Sequence, residues 1–326
     1  MADDWHVVHL GARSVGGCGL VVTEATAVEP GGRISPQDLG IWSDGHIGPL
    51  RRVAEAVRSS GAVPGIQLAH AGRKAGAYRP WSPVRGFLPR GEQDGRPSWD
   101  TERVAPSPVP FHSSAPVPVE ADPAQVVEWF VAAARRALAA GFEALEIHSA
   151  HGYLLHEFLS PLTNKRSDGY GGSFHGRTRL HRELVQAVRQ AWPDDKPLFM
   201  RVSATDWVEG GWTLDETVEL AKDLKPLGLD LMDCSSGGAV PDAQVPVGPG
   251  YQVGFAERVR REAGLATGAV GMITRPEQAE GVVAAGQADL VFLGRELLRD
   301  PHWPIKAAAR LGAPPPWAAQ YAWAVG

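Results

Sequence analysis

The chain has 326 residues, 44% of them hydrophobic and 21% charged, which is enough apolar material for a substantial core. A formal net charge of −5 gives no basic field for nucleic acid or an anionic membrane surface, and no apolar run approaches the roughly 18 residues that cross a bilayer. Cys18 and Cys234 are too few for a disulfide framework, a four-cysteine zinc site or an iron–sulfur cluster, and the opening Met-Ala-Asp-Asp-Trp-His lacks the regions of a signal peptide, so a reduced, cytoplasmic protein is expected.

In chain order, Asp4–Val15 reads as a helix and Gly19–Glu24 as a strand. A helical stretch over 44–59, opened by Ser43 or Asp44, leads to a strand at Val63–Ala69. Residues 75–120 are rich in Pro, Gly and Arg and have no periodicity; they predict a long excursion at the catalytic face, able to act as a lid. Helical patterns over 123–140, 176–191, 213–225, 251–263 and 276–285 then alternate with strands at Ala144–His148, Leu198–Ser203, Leu229–Cys234, Gly268–Met272 and Leu290–Gly294. Thr213 and Thr274 are candidate N-caps, and Gly141, Gly228 and Gly286 sit where a left-handed residue ends a helix.

Strand–helix units without hairpin signals imply a parallel sheet, and the absence of a linker favours one domain over residues 1–326. The fold class is α/β, a (β/α)8 TIM barrel with only seven strands evident. The chain is expected to begin at the first helix, with strand one missing.

Strand parity then assigns faces. Ile66, Leu68, Leu145, Ile147, Met200 and Val202 should face the helices, while Gln67, Glu146, His148, Phe199, Arg201 and Ser203 point inward. Barrel interiors are normally aliphatic, so these polar side chains must meet one another or a polar ligand. The purely structural alternative is a buried Arg201–Glu146 ion pair. His148-Ser-Ala-His151-Gly-Tyr153 has a spacing that could bind metal, but no further ligand cluster accompanies it. Two imidazoles and a tyrosine suit polarising an oxygen and delivering a proton. Gly271 and Gly294 end the last two strands where barrels commonly bind phosphate, and Arg295 follows; short turns also favour glycine for conformational reasons alone.

Several stretches together resemble the Old Yellow Enzyme family, closest to its bacterial thermophilic-like class. They are Thr23–Val28, Asp38–Trp42, Gln67-Leu-Ala-His-Ala-Gly-Arg-Lys74, Glu146–Tyr153, Phe158–Gly172, Arg201-Val-Ser-Ala and Leu293-Gly-Arg-Glu-Leu-Leu298. The resemblance implies FMN at the barrel mouth, lined by Ala25 and Gln67, with Arg201 near the ring's N1 and C2=O. It implies that Gly271, Gly294 and Arg295 hold the phosphate. His148 and His151 would bind the oxygen of an activated alkene, Tyr153 would protonate its α-carbon, and NADPH or NADH would reload the flavin. A homo-oligomer is also possible. The Asn164–Gly172 loop reads as support for the histidine turn, and Lys74 either reaches the active-site entrance or is an ordinary solvated lysine.

Two departures stand out. The family's first strand and the tyrosine after it have no counterpart, and Gln320-Tyr321 is followed by Ala322 and Trp323 rather than by an arginine reaching a neighbouring subunit. The alternatives are an N-terminally truncated, flavin-poor remnant and a metal hydrolase built on His148 and His151.

Overall fold

The computed structural model describes residues 1–91 and 99–324. Residues 92–98, part of the expected 75–120 excursion, lie outside the described residues.

Seven parallel strands form one sheet in sequential order: β1 (Leu20–Ala27), β2 (Val63–Ala69), β3 (Ala144–Ser149), β4 (Leu198–Ser203), β5 (Leu231–Ser235), β6 (Ala266–Ala269) and β7 (Leu290–Val291). Each strand hands over to the next through helical crossovers, as a parallel sheet requires. The helices are α1 (Asp4–Val15), α2 (Ile47–Ser59), α3 (Pro123–Ala139), α4 (Leu154–Leu159), α5 (Phe174–Ala191), α6 (Leu214–Leu224), α7 (Val253–Ala263), α8 (Pro276–Ala284), α9 (Arg295–Arg299) and α10 (Trp303–Arg310). This is the expected α/β fold. Among the described residues β1 and β7 do not pair, so the curled sheet stays open between them.

The outward faces follow parity. Ile66, Leu68, Leu145, Ile147, Met200 and Val202 are fully buried in the main core with Leu50, Phe130, Leu184 and Leu220 from the helices. The inner face is layered by register. Glu146, Phe199, Leu231 and Ala266 lie side by side, and His148, Arg201, Asp233 and Gly268 form the next row toward the strand C-termini. Ala144, Phe199 and Leu231 make a separate small apolar plug with Leu20, Ala266 and Phe292. Above it the interior turns polar.

Local chemistry explains most boundaries. Asp3 caps α1, and Thr213 with Glu216 forms a capping box at α6. Gly141, Gly228 and Gly286 have φ of 88°, 96° and 68°, the left-handed values expected of them. Three readings need correction. Arg275, not Thr274, is the N-cap of α8, because Pro276 is already the first helical residue. The sixth strand covers Ala266–Ala269 rather than Gly268–Met272, and the seventh stops at Val291. Within the excursion, Val104–Ala105 pairs in parallel with Val119–Glu120 to make a short ribbon.

Candidate functional site

Strand β1 contains a bulge. Val22 faces Gly65 but Ala25 faces Gln67, so one extra residue is taken up between them. The bulge turns Ala25 beside Gln67, and Thr23 Oγ1 accepts the Gln67 backbone N–H at 3.2 Å across it. Gln67 Nε2 donates to Glu146 Oε1 at 2.6 Å. Glu146 is otherwise without a hydrogen-bond partner, and burial together with Asp233 raises its pKa.

Arg201 pairs with Asp233 rather than Glu146: Arg201 Nε lies 3.3 Å from Asp233 Oδ2 without hydrogen-bond geometry. The reason is register, since Asp233 on β5 is the direct neighbour of Arg201 on β4. Asp233 was absent from the sequence reading, although its inward parity with Leu231 is legible in Leu231-Met-Asp-Cys-Ser. Two carboxylates therefore surround one guanidinium, and burial pushes the Asp233 pKa up as well.

Strand β3 ends in a tight turn. His151 has φ 60° and Gly152 φ 70°, two consecutive left-handed residues. A Cβ on Gly152 would stand 1.9 Å from the carbonyl oxygen of Gly238, so only glycine lets the two loops touch. The turn brings three rings together: His148 lies 5.1 Å from His151 and 5.4 Å from Tyr153, centroid to centroid, both edge-on. Ser203 fixes the backbone by accepting the His151 N–H at 2.9 Å while donating to Gly237 O at 2.8 Å. His151 Nε2 shares a 2.7 Å hydrogen bond with Ser235 Oγ, whereas His148 Nδ1 is buried without a partner. Burial drives both imidazoles well below their ordinary pKa; Arg201 adds to this at each, and His148 adds to it at His151. Burial, with Asp38 adding, pushes the Tyr153 phenol up to about 12.

The phosphate-type pocket lies further along the sheet, at the loops after β6 and β7. Gly271 has φ 124°, and a Cβ there would meet Gln252 Nε2 at 2.9 Å and the Tyr251 ring at 3.0 Å. Gln252 is a second residue that sequence reading missed: it accepts from Ser236 Oγ at 2.6 Å and donates to Val270 O at 3.0 Å. Gly294 has nothing within 4 Å of where a side chain would project, and Arg295 next to it is exposed. A cavity of about 420 Å³ includes Arg201, Gly271, Gly294 and Arg295. It adjoins a larger one of about 810 Å³ reaching Gln67, Glu146, Arg201 and Asp233.

Of the expected residues, Gln67, Arg201, Gly271, Gly294 and Arg295 line these two adjoining cavities, Ala25 neighbours Gln67 across the β1–β2 register, His148 neighbours Arg201 across the β3–β4 register, and His151 and Tyr153 pack against His148. An FMN-sized group fits this donor set: an amide and a guanidinium at the ring end, and a side-chain-free glycine with a cation at the other. Among the described residues no group of His, Cys, Asp and Glu is arranged to hold a metal. Among the described residues no helix is long and apolar enough to cross a membrane.

Comparisons with known proteins bear on the family and the fold. The sequence matches the NADH:flavin oxidoreductase / NADH oxidase family over residues 1–313. An NADPH dehydrogenase of Geobacillus thermodenitrificans (strain NG80-2) is 51% identical over 311 residues, 94% of this chain and 84% of that protein. The solved structure of morphinone reductase is similar with a TM-score of 0.77 at 26% identity, over 96% of this chain and 82% of its own. A 2-naphthoyl-CoA reductase complex has a TM-score of 0.82 at 27% identity, and there the chain covers 47% of the longer protein.

Proposed function

The chain belongs to the NADH:flavin oxidoreductase / NADH oxidase family, that of the Old Yellow Enzymes, and is an FMN-dependent oxidoreductase reduced by a nicotinamide nucleotide; from this premise we propose that it reduces the activated C=C bond of α,β-unsaturated carbonyl or nitro compounds. The convergence of His148, His151 and Tyr153 on one turn, beside Arg201, carries the reading. Bound flavin, reloaded by NADPH or NADH, supplies the hydride for the β-carbon.

The protein's own residues do the rest. Neutral imidazoles at His148 and His151 donate hydrogen bonds to the substrate oxygen, and these bonds strengthen as negative charge grows on it. The raised pKa of Tyr153 keeps the phenol protonated throughout the working range, ready to give its proton to the α-carbon. Ala25 and Gln67 would hold the flavin ring, and Arg201, whose buried Nε lacks a hydrogen-bond partner, would supply positive charge to it. Gly271, Gly294 and Arg295, which line one cavity, would hold the phosphate. Phe111, from the described part of the excursion, lies beside Lys74, whose Nζ is also close to the Tyr153 ring.

Tyr153→Phe should slow alkene reduction by about 10²–10⁴-fold while leaving flavin reduction by the nicotinamide nearly unchanged. Stopped-flow measurement of both half-reactions tests this, and equal slowing of the two removes Tyr153 from the donor role. The open side between β1 and β7 makes the alternative outcome a chain that holds its flavin weakly. The visible absorbance of the purified chain separates the two.

A further inference from the structure

Lys74 is not the solvated lysine that its sequence position suggests. It ends the short 3₁₀ turn Gly72–Lys74 after β2, and its ammonium points into the site. Nζ donates to the carbonyl of His151 at 2.7 Å and to that of Gly238 at 3.3 Å. It also lies 4.9 Å from the centre of the Tyr153 ring and 4.7 Å from that of Phe111.

These are the two loops that Gly152 allows to touch. With no side chain between them, their carbonyls crowd toward one point, and a three-donor cation there satisfies both. The strained left-handed backbone at His151 is thereby held by a charge-assisted hydrogen bond. The neighbouring groups complete the setting. Glu157 on α4 accepts the Arg73 N–H at 3.0 Å, and the Arg73 guanidinium is spent on the carbonyls of Val109, Pro110 and Ala239. His148, His151 and Tyr153 face Lys74 from the β3 turn. Arg201, the other cation near the imidazoles, is already paired with Asp233.

We propose that Lys74 is a positioning residue that clamps the histidine turn and supplies the titratable positive charge by which the site holds an anionic oxygen. The inference rests on reading His148 and His151 as the oxygen-binding pair. Burial brings the Lys74 pKa down to about 8, with Glu157 opposing and Arg73 adding to the shift. The ammonium is therefore present below that pH and lost above it, so the grip on an oxyanion weakens as the solution becomes alkaline.

The test is the binding of pentafluorophenolate, an anion throughout the range used, to the FMN-loaded protein, followed by its long-wavelength charge-transfer absorbance. Wild-type affinity should be flat from about pH 6.5 and fall through a limb near pH 8, approaching tenfold per further unit. Lys74→Arg should keep the affinity at neutral pH and lose the limb, because a guanidinium does not titrate there. Lys74→Met should bind at least about tenfold more weakly and without a limb. A wild-type affinity flat to about pH 9.5 overturns the proposal, as does a limb surviving unchanged in Lys74→Arg, which would assign it to Glu157, whose carboxyl burial pushes up to about 8. If Lys74→Met does not fold, the wild type and Lys74→Arg decide. Failure of the phenolate to bind at any pH sinks the oxygen-binding reading itself, a result distinct from pH-flat binding.

Discussion

His148 and His151 sit three residues apart yet are held by different means. His148 belongs to the regular part of β3, with its Nδ1 buried and unpartnered, and His151 stands on a left-handed backbone tied to Ser203 and Ser235. Replacing both by Ala should abolish tight phenolate binding, since both oxyanion donors go, while FMN stays bound through residues on other strands. Charge-transfer colour with a phenol persisting in the double variant would count against the pair. At this scale the sequence was informative wherever one strand's parity sufficed: Gln67, Glu146, His148 and Arg201 all point inward as read. It was blind where the decisive partner comes from another strand or loop. Asp233 meets Arg201 only through the β4–β5 register, and Lys74 meets the His151 carbonyl only because two loops fold together.

Helix α4 shows how a short element can matter more than its length suggests. Its His156 accepts the Gly152 N–H on Nδ1 at 2.8 Å, which leaves Nε2 to carry the proton facing Asp206 Oδ1, 2.9 Å away. Asp206 also accepts from Ser160 Oγ at 2.6 Å and the Trp212 N–H at 2.8 Å. Burial alone would raise the Asp206 pKa, but His156 and these hydrogen bonds outweigh it and lower the value. A carboxyl depressed in the folded state contributes stability above its unfolded pKa of about 3.9, and that contribution is lost as pH falls through the folded value. Asp206→Asn should cost about 1–3 kcal/mol, because an amide nitrogen turned toward Ser160 Oγ and the Trp212 N–H leaves buried donors without an acceptor. The variant should also lose part of the wild type's stability decline below about pH 4. Denaturant titrations at neutral and acid pH check both expectations. Neither α4 nor α9 was foreseen, because six or five residues are too few to display a helical period. By contrast, β2 and β4 run over the residues expected, since alternation and flanking turns fix both ends.

Burial is uneven across the whole molecule. Helix α5 buries eight residues, whereas α8 buries only Val282 and α9 none. The large cavity opens on this thin side, where β1 and β7 present their edges. FMN binds residues contributed by β1, β2, β4 and the loops after β6 and β7 in the reading above, so it should act as a bridge across the poorly packed region. A ligand bound to the folded state alone stabilises it by about 2.7 kcal/mol at one hundred times its Kd. For a domain of this size, that is a rise of roughly 5 °C in Tm. Scanning the apoprotein with increasing FMN tests this; a Tm indifferent to FMN would mean that the cofactor does not bridge these strands.

The unpaired edges also bear on how the chain reaches this fold. Closing a barrel would join its first and last strands, a contact spanning nearly the whole sequence and carrying the loop-closure entropy of that span. Here each of the seven strands pairs only with the strand before or after it in the chain, so no strand pairing waits on the two ends meeting. Contacts of modest sequence separation favour faster folding, and the longest-range packing is left to Gly16 and Gly17, which lie against Pro301, Ile305 and Pro316. The sheet can then grow unit by unit from its best-packed members, β3, β4 and α5, with the two-residue β7 joining last and leaving first.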